Sequence, residues 1–272
     1  AIAKLRLAET ARPGGIPALQ TWRWAALKGQ LWVDFAEAAT READATHDPA
    51  RKAALHHLAG VAYMDKALVG DRAGQALRKA IAADPRHTDA FVRLRMLLDE
   101  QGDYEDLAQL LDARVDVEAE PRARIELHRA SAELHRNFLG DRDTAKRHYR
   151  AILGIDAADL RAIAALSDIC WEQGAWAECA EALMNRARLE REPDTLRAIY
   201  RRLGTIYADR IPDPQHAIKA FQRVLSYDQD DREALERLAD LGIATAEWRM
   251  ALGACERPVS YTHLTLPTSD LV

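Results

Sequence analysis

Nine histidines and three cysteines are the side chains in this 272-residue sequence that could bind a metal or act as nucleophiles. His128 and His135 stand seven residues apart, two turns of a helix, which places them on one face. The adjacent His56 and His57 point to different sides of theirs. His56 precedes His128 by 72 residues, a separation that helix packing turns into roughly 20 Å, too far for a shared ion. Cys170 and Cys179 fall on neighbouring helical segments and could approach one another, yet with Cys255 they show no metal-type or disulfide-scaffold spacing. No His-Glu-x-x-His pattern, phosphate-cradling glycine loop or nucleophile elbow occurs. The histidines therefore read as buried or half-buried packing groups and the cysteines as small hydrophobes. The expectation is a chain that is not an enzyme, with no catalytic residue, no metal site and no cofactor, in a reducing compartment such as the cytoplasm.

What positions these residues is a period of 72. Trp32, Tyr104, Trp176 and Trp248 keep that spacing, as do Ala1, Ala73, Ala145 and Ala217, and Asp84, Asp156 and Asp228. Pro49, Pro121 and Pro193 form another such series, Pro13 and Pro85 a further one. Tyr200 and Tyr207 stand one period after His128 and His135, which supports the packing reading. A landmark at Ala73, Leu107, Ala145, Cys179, Ala217 and Ala251 divides each period into units of 34 and 38 residues. A period of this length with turn residues inside it marks a solenoid, in which stacking of neighbouring units supplies the core.

Within units the apolar residues run at helical spacing, as in Phe91, Leu94, Leu97 and Leu98, then Leu107, Leu110 and Leu111 after a break at Gly102. Asp48-Pro49, Asp84-Pro85, Glu120-Pro121 and Glu192-Pro193 mark helix starts. The pattern predicts helices over 1–11, 17–28, 31–45, 49–66, 70–83, 87–101, 103–118, 121–138, 141–155, 158–173, 175–191, 193–209, 213–227, 230–242 and 244–256. No strand alternation is present. The 38 basic and 43 acidic residues, net charge -5, are interspersed. They leave no electrostatic footprint for nucleic acid or an anionic membrane, and no apolar run is long enough for a membrane span.

Asp99-Glu100-Gln101-Gly102-Asp103-Tyr104-Glu105-Asp106-Leu107 resembles the middle of a tetratricopeptide repeat, a helix-turn-helix unit. Trp171-Glu172-Gln173-Gly174-Ala175-Trp176 is its next copy. Leu203-Gly204, Tyr207, Ala217, Phe221 and Asp228, with Ala59-Gly60, Tyr63, Ala73, Leu77, Ala80 and Asp84-Pro85, resemble the rest of the unit. Extra residues in the turn of the longer unit, Ile211 to Pro214 for instance, depart from it, as do Leu107 and Cys179 where the family prefers Ala. The resemblance implies an all-α, right-handed α-solenoid of hairpins over 1–257, expected to be truncated at both ends. The segment 258–272 breaks the period, and from Pro258 it resembles a translated transposase-type sequencing adapter, so it is expected to be a non-native tail.

In tetratricopeptide arrays the first helix of each hairpin lines a concave groove. Carried over, that places His57, Val61, Val92, Arg93 and Met96 in it, with Arg129, Glu133 and Arg136 following. Ala164, Asp168 and Trp171, then Arg201 and Thr205, then Glu236 and Asp240 continue it, with Trp171 as a candidate anchor. The Lys and Asn four apart with which some members hold acidic chaperone tails are absent, and Arg predominates mid-groove. The function expected is a non-enzymatic scaffold binding a protein or peptide partner. The alternative is a regulatory or docking arm of a larger enzyme or signalling protein. RNA reading by pentatricopeptide-like repeats is disfavoured by the acidic balance. Nothing in the sequence bears on oligomeric state.

Overall fold

The computed structural model describes residues 15–254 together with Ala3, Lys4 and Arg6. Apart from those three residues, the expected helix over 1–11 lies outside the described residues, as does the tail from 258 onward. The described residues form helices and turns, with no strand among them. The first helices of successive hairpins are α1 (Ile16–Lys28), α3 (Pro49–Val61), α5 (Thr88–Gln101), α7 (Pro121–Asn137), α9 (Leu160–Glu172), α11 (Pro193–Asp209) and α13 (Arg232–Ala244). The second helices are α2 (Trp32–Asp44), α4 (Gly70–Ala83), α6 (Tyr104–Val117), α8 (Arg142–Ile155), α10 (Trp176–Leu189), α12 (Pro214–Tyr227) and a short α14 over 248–254. The chain divides into two compact units, Ala1–Ala145 and Lys146–Val272.

Helix starts recur by position, while the capping atom and its donor vary. Asp48, Glu120 and Glu192 accept hydrogen bonds from the backbone N–H of Ala50, Ala123, and Asp194 with Thr195, capping α3, α7 and α11. His87, Asp159 and Asp231 cap α5, α9 and α13 through the N–H of Ala90, Ala162 and Ala234. Each such acceptor satisfies a donor that the first helical turn leaves unpaired. Asp84-Pro85, expected as a helix start, lies instead in the turn before α5, and the aspartates at 84, 156 and 228 there take the N–H two residues on.

The turn inside each shorter unit needs one left-handed residue. Gln30, Gly102, Gly174 and Ala246, all 72 apart, have φ of 53°, 70°, 70° and 59°. In the longer unit the left-handed position falls at Leu68 and Gly140, with φ of 55° and 68°. The stretch expected as one helix over 49–66 is α-helical to Val61 and ends as a π-turn over Ala62–Lys66. The N–H of Val69 donates to Tyr63 C=O, as Asp141 N–H does to His135 and Asp213 N–H to Tyr207 after the α-helical ends of α7 and α11, so this bond closes the longer turn in all three copies. The last expected helix, 244–256, starts instead at 248, because residues 245 to 247 make the turn after α13.

In the first unit Leu19, Trp22, Phe35 and Ala39 bury against Ala59 and Ala73, and Leu77, Phe91, Leu94, Leu98, Leu107 and Leu134 continue the core. In the second, Cys170, Cys179, Leu183, Ile199 and Leu203 form one cluster and Phe221, Val224, Leu235 and Leu238 another. Each cluster draws on consecutive hairpins, so no hairpin buries its apolar face alone. In two of the three longer hairpins the closest approach falls at a glycine, where the third carries Ala132. A Cβ on Gly60 would stand 2.7 Å from Leu77, and one on Gly204 2.7 Å from the Phe221 ring.

Aromatic residues opening the second helices are covered by the residue 34 positions on. Lys66 Nζ lies 5.8 Å from the Trp32 ring, Phe138 4.2 Å from Tyr104, and the Arg210 guanidinium 4.9 Å from Trp176. Trp248, the fourth of the series, is 60% exposed.

Two substitutions test this account by chemical or thermal unfolding. Leu68→Gly, at an 82% exposed side chain, removes a left-handed penalty and is expected to stabilise by about 0.5–1 kcal/mol. Gly204→Ala gains helix propensity but drives a methyl into the buried Phe221 ring, for a net loss of about 1–2 kcal/mol. A Gly204→Ala variant as stable as the parent would refute the close-approach argument.

Candidate functional site

The first-helix faces of the two units are built alike. In the first unit α5 places Val92 and Met96 one turn apart, 46% and 47% exposed. Beside them Arg93 Nη1 is 3.1 Å from Asp65 Oδ1. His57 of α3 is half-buried, its ring 4.9 Å from that of His87, and Val61 lies a turn further along the same helix. On α7 the Arg129 Nε lies 3.6 Å from Glu126 Oε2, Glu133 is exposed and Arg136 half-buried.

In the second unit Asp168 of α9 accepts a 2.7 Å bond from Arg202 Nη1. The Arg202 guanidinium sits 4.7 Å over the Trp171 ring, and Trp176 meets the same ring edge-on at 5.4 Å. Trp171 is thus half-buried between its own hairpin and the next. Arg201 reaches both Asp231 and Glu233, and its C=O accepts from Thr205 Oγ1 at 3.1 Å. Ala164 is half-buried, Glu236 is bonded by Arg232 at 2.7 Å and Asp240 is exposed.

Of the arginines anticipated as groove cations, Arg93 and Arg201 are engaged by acids of a neighbouring hairpin, while Arg129 lies beside Glu126 of its own helix. Arg202, and Arg237 with Asp209 two periods after Arg93 with Asp65, are engaged in the same way but were not among those anticipated. The signal was present in the sequence as a recurrence of both members at 144 residues. A second ladder joins second helices, Arg78 with Asp106 and, one period on, Arg150 with Glu178. Pairs of this kind set register between hairpins more than they add stability.

The second-helix side also carries open clefts, which sequence reasoning missed because their walls come from three helices. One of about 570 Å³ lies between α10 and α12 over α11. A smaller counterpart of about 310 Å³ lies between α2 and α4.

His56, His57 and His128, with Cys170 and Cys179, sit as buried or half-buried packing groups. His56 is buried, with Nε2 3.3 Å from Asp44, and burial, despite that carboxylate, holds its pKa below the ordinary histidine value. Burial does the same to His57, aided by His87, and to His128, aided by Arg124. The Cys179 thiol, bonded to Ser167 C=O at 3.3 Å, is pushed up by burial to about 11, and Cys170 is raised for the same reason. Neither is a ready thiolate at neutral pH. Glu42 is a buried carboxylate in α2 that receives Arg23 at 2.8 Å, Arg51 at 3.1 Å and Gln20 at 3.1 Å. Burial alone would raise its pKa, but the bonds from Arg23 and Gln20 and the charge of Arg23 outweigh that and hold it low.

No family model matches the chain, and no curated protein does. Among solved structures, that of Naa15/Naa10 bound to HypK-THB aligns with a TM-score of 0.51 at 14% identity, over 88% of this chain and 36% of that one. The C-terminal part of a TPR repeat-containing protein from Cytophaga hutchinsonii aligns with a TM-score of 0.45 at 11% identity, covering 87% and 93%. YrrB, described as a TPR protein with an unusual peptide-binding site, gives 0.42 at 13%, covering 74% and 97%. Likeness at such identities concerns fold alone.

These burial patterns predict how stability depends on pH. A histidine whose folded pKa is depressed stays neutral while the unfolded chain takes up its proton near pH 6.5, so His56, His57 and His128 contribute fully above that value and progressively less below it. Glu42, also depressed, adds a second loss once pH falls below the ordinary carboxylate range. Unfolding free energy measured by urea titration is expected to drop from pH 7 to pH 5 and more steeply below pH 4. His56→Phe should flatten the upper part of that profile, and an unchanged slope would contradict the neutral assignment.

Proposed function

Taking the all-α array of tetratricopeptide-type hairpins as the premise, we propose that this chain is a non-catalytic scaffold that holds an extended peptide or partner segment against its first-helix face. The observation that carries this is the pairing of Val92 with Met96. Two apolar side chains a turn apart, half exposed, stand among arginines whose charge is matched by Asp65 and its equivalents. Such a strip offers apolar contact area with compensated charge, which suits side chains of a peptide rather than a bare polyanion. In the second unit Trp171, stiffened by Arg202 and Trp176, supplies an aromatic wall for the same use. Glu133, Arg136 and Thr205 supply polar contacts on the rim.

Photo-crosslinking tests the reading. A photoreactive phenylalanine analogue in place of Met96 is expected to trap a discrete partner, whereas the same group at exposed Gln109 on the second-helix side is not. Val92→Asp should cut the adduct about tenfold, the loss of one central apolar contact, with thermal unfolding unchanged. Equal adducts from positions 96 and 109, or an adduct indifferent to Val92→Asp, would remove the first-helix face as the binding surface.

A further inference from the structure

The cleft between α10 and α12 differs in charge from its counterpart between α2 and α4. Its floor is Tyr200, Leu203 and Tyr207, three and four residues apart and so on one side of α11. This is the side turned away from Arg201 and Thr205. Met184 of α10 closes one wall, its Sδ 3.7 Å from the Tyr207 hydroxyl. The opposite wall presents His216, Lys219 and Arg223 of α12, all exposed. Asp213 pairs with His216 at 2.6 Å. Lys219 and Arg223 have no carboxylate partner among the described residues, and no acid lines the cleft.

The counterpart in the first unit shows what is unusual. Tyr63, Arg72, Gln75 and Lys79 stand there at the places of Tyr207, His216, Lys219 and Arg223, 144 residues earlier. In that cleft Glu37 lines the wall and Lys79 Nζ is 3.4 Å from Asp44 Oδ2. At the place of Asp44 the later copy carries Arg188, which reverses that counter-charge, while Glu37 keeps its equivalent in Glu181, which does not line the cleft. Two uncompensated cations beside an apolar, aromatic floor form a surface whose complement is an apolar side chain flanked by anions.

We propose that this cleft docks a short acidic segment of a partner protein, one aromatic or long aliphatic side chain covering Tyr200, Leu203 and Tyr207 while carboxylates pair with Lys219 and Arg223. The spacing fits an extended peptide. Residues four apart on a helix are about 6 Å apart along its axis, and carboxylates two apart in an extended strand are separated by about 6.6 Å. A single-stranded nucleic acid fits less well, since base stacking needs free ring faces. Tyr200 is already stacked on Tyr227 at 6.2 Å and 17°, and Tyr207 packs on His216 at 5.2 Å. The surface is separate from the first-helix strip at Val92 and Met96, so an array could hold two segments at once.

The test uses the full chain and a fluorescein-labelled peptide, Gly-Asp-Asp-Phe-Asp-Asp-Gly, followed by fluorescence anisotropy. Saturable binding that weakens with salt is expected. Lys219→Glu with Arg223→Glu should weaken it at least about tenfold, a loss of about 1.4 kcal/mol, and replacing the peptide Phe by Ser should do the same. Lys79→Glu in the counterpart cleft and Val92→Asp on the first-helix face should leave it unchanged, which separates this proposal from the scaffold reading above. Should the double charge reversal disturb the melting profile, Lys219→Ala with Arg223→Ala replaces it. No saturation with protein up to roughly 1 mM, a range that includes weak peptide contacts, would overturn the proposal. So would equal binding by the double variant or by the Ser peptide. Tighter binding of an oligouridylate, lost in the same variants, would replace the peptide with nucleic acid.

Discussion

Close approach of the two helices in a hairpin is the constraint on which the rest depends. Gly60 opposite Leu77 and Gly204 opposite Phe221 leave no room for a Cβ, and the alanines at 73 and 217 are wholly buried beside them. With the helices this near, large side chains are displaced outward to fill the gap to the next hairpin, so the core runs along the array in clusters shared by neighbours. Stability then becomes a nearest-neighbour property, and a hairpin is only as firm as the contact it makes with the one after it.

Charge follows the same geometry. First helices of adjacent hairpins are linked by Arg93 with Asp65 and Arg202 with Asp168, second helices by Arg78 with Asp106 and Arg150 with Glu178. Exposed pairs add little free energy singly, but repeated at fixed offsets they penalise slippage of one hairpin against the next. Their consequence for recognition is that most of the groove arginines are already matched. What remains for a partner is an apolar strip on one side and, on the other, the unmatched Lys219 and Arg223 above tyrosines.

Buried polar groups mark where the period was allowed to vary. Glu42 falls where later periods carry Arg114 and Arg186, and it is tolerated because Arg23, Arg51 and Gln20 satisfy its oxygens. His56 and His128 fill the place of Tyr200, a size match that trades a phenol for an imidazole and introduces a pH dependence the tyrosine lacks.

The sequence by itself determined the helical hairpins, the 72-residue register, the capping acids Asp48, Glu120 and Glu192, and the burial of His56, His128, Cys170 and Cys179. Each is a local or periodic property, legible because a helix has one spacing and a cap one short reach. Helix ends with unusual hydrogen bonding were not legible. The π-turn after Val61 has no equivalent at the ends of α7 and α11, although the same backbone bond closes all three turns, from Val69 to Tyr63, Asp141 to His135 and Asp213 to Tyr207. Nor could the sequence say which arginines are free. Arg93 recurs at Arg237 together with Asp65 at Asp209, which hints at pairing, but only the fold shows that Arg223 shares a cleft with Tyr200 in which no acid faces it, because ion-pair partners and cleft walls come from separate helices whose juxtaposition packing alone decides.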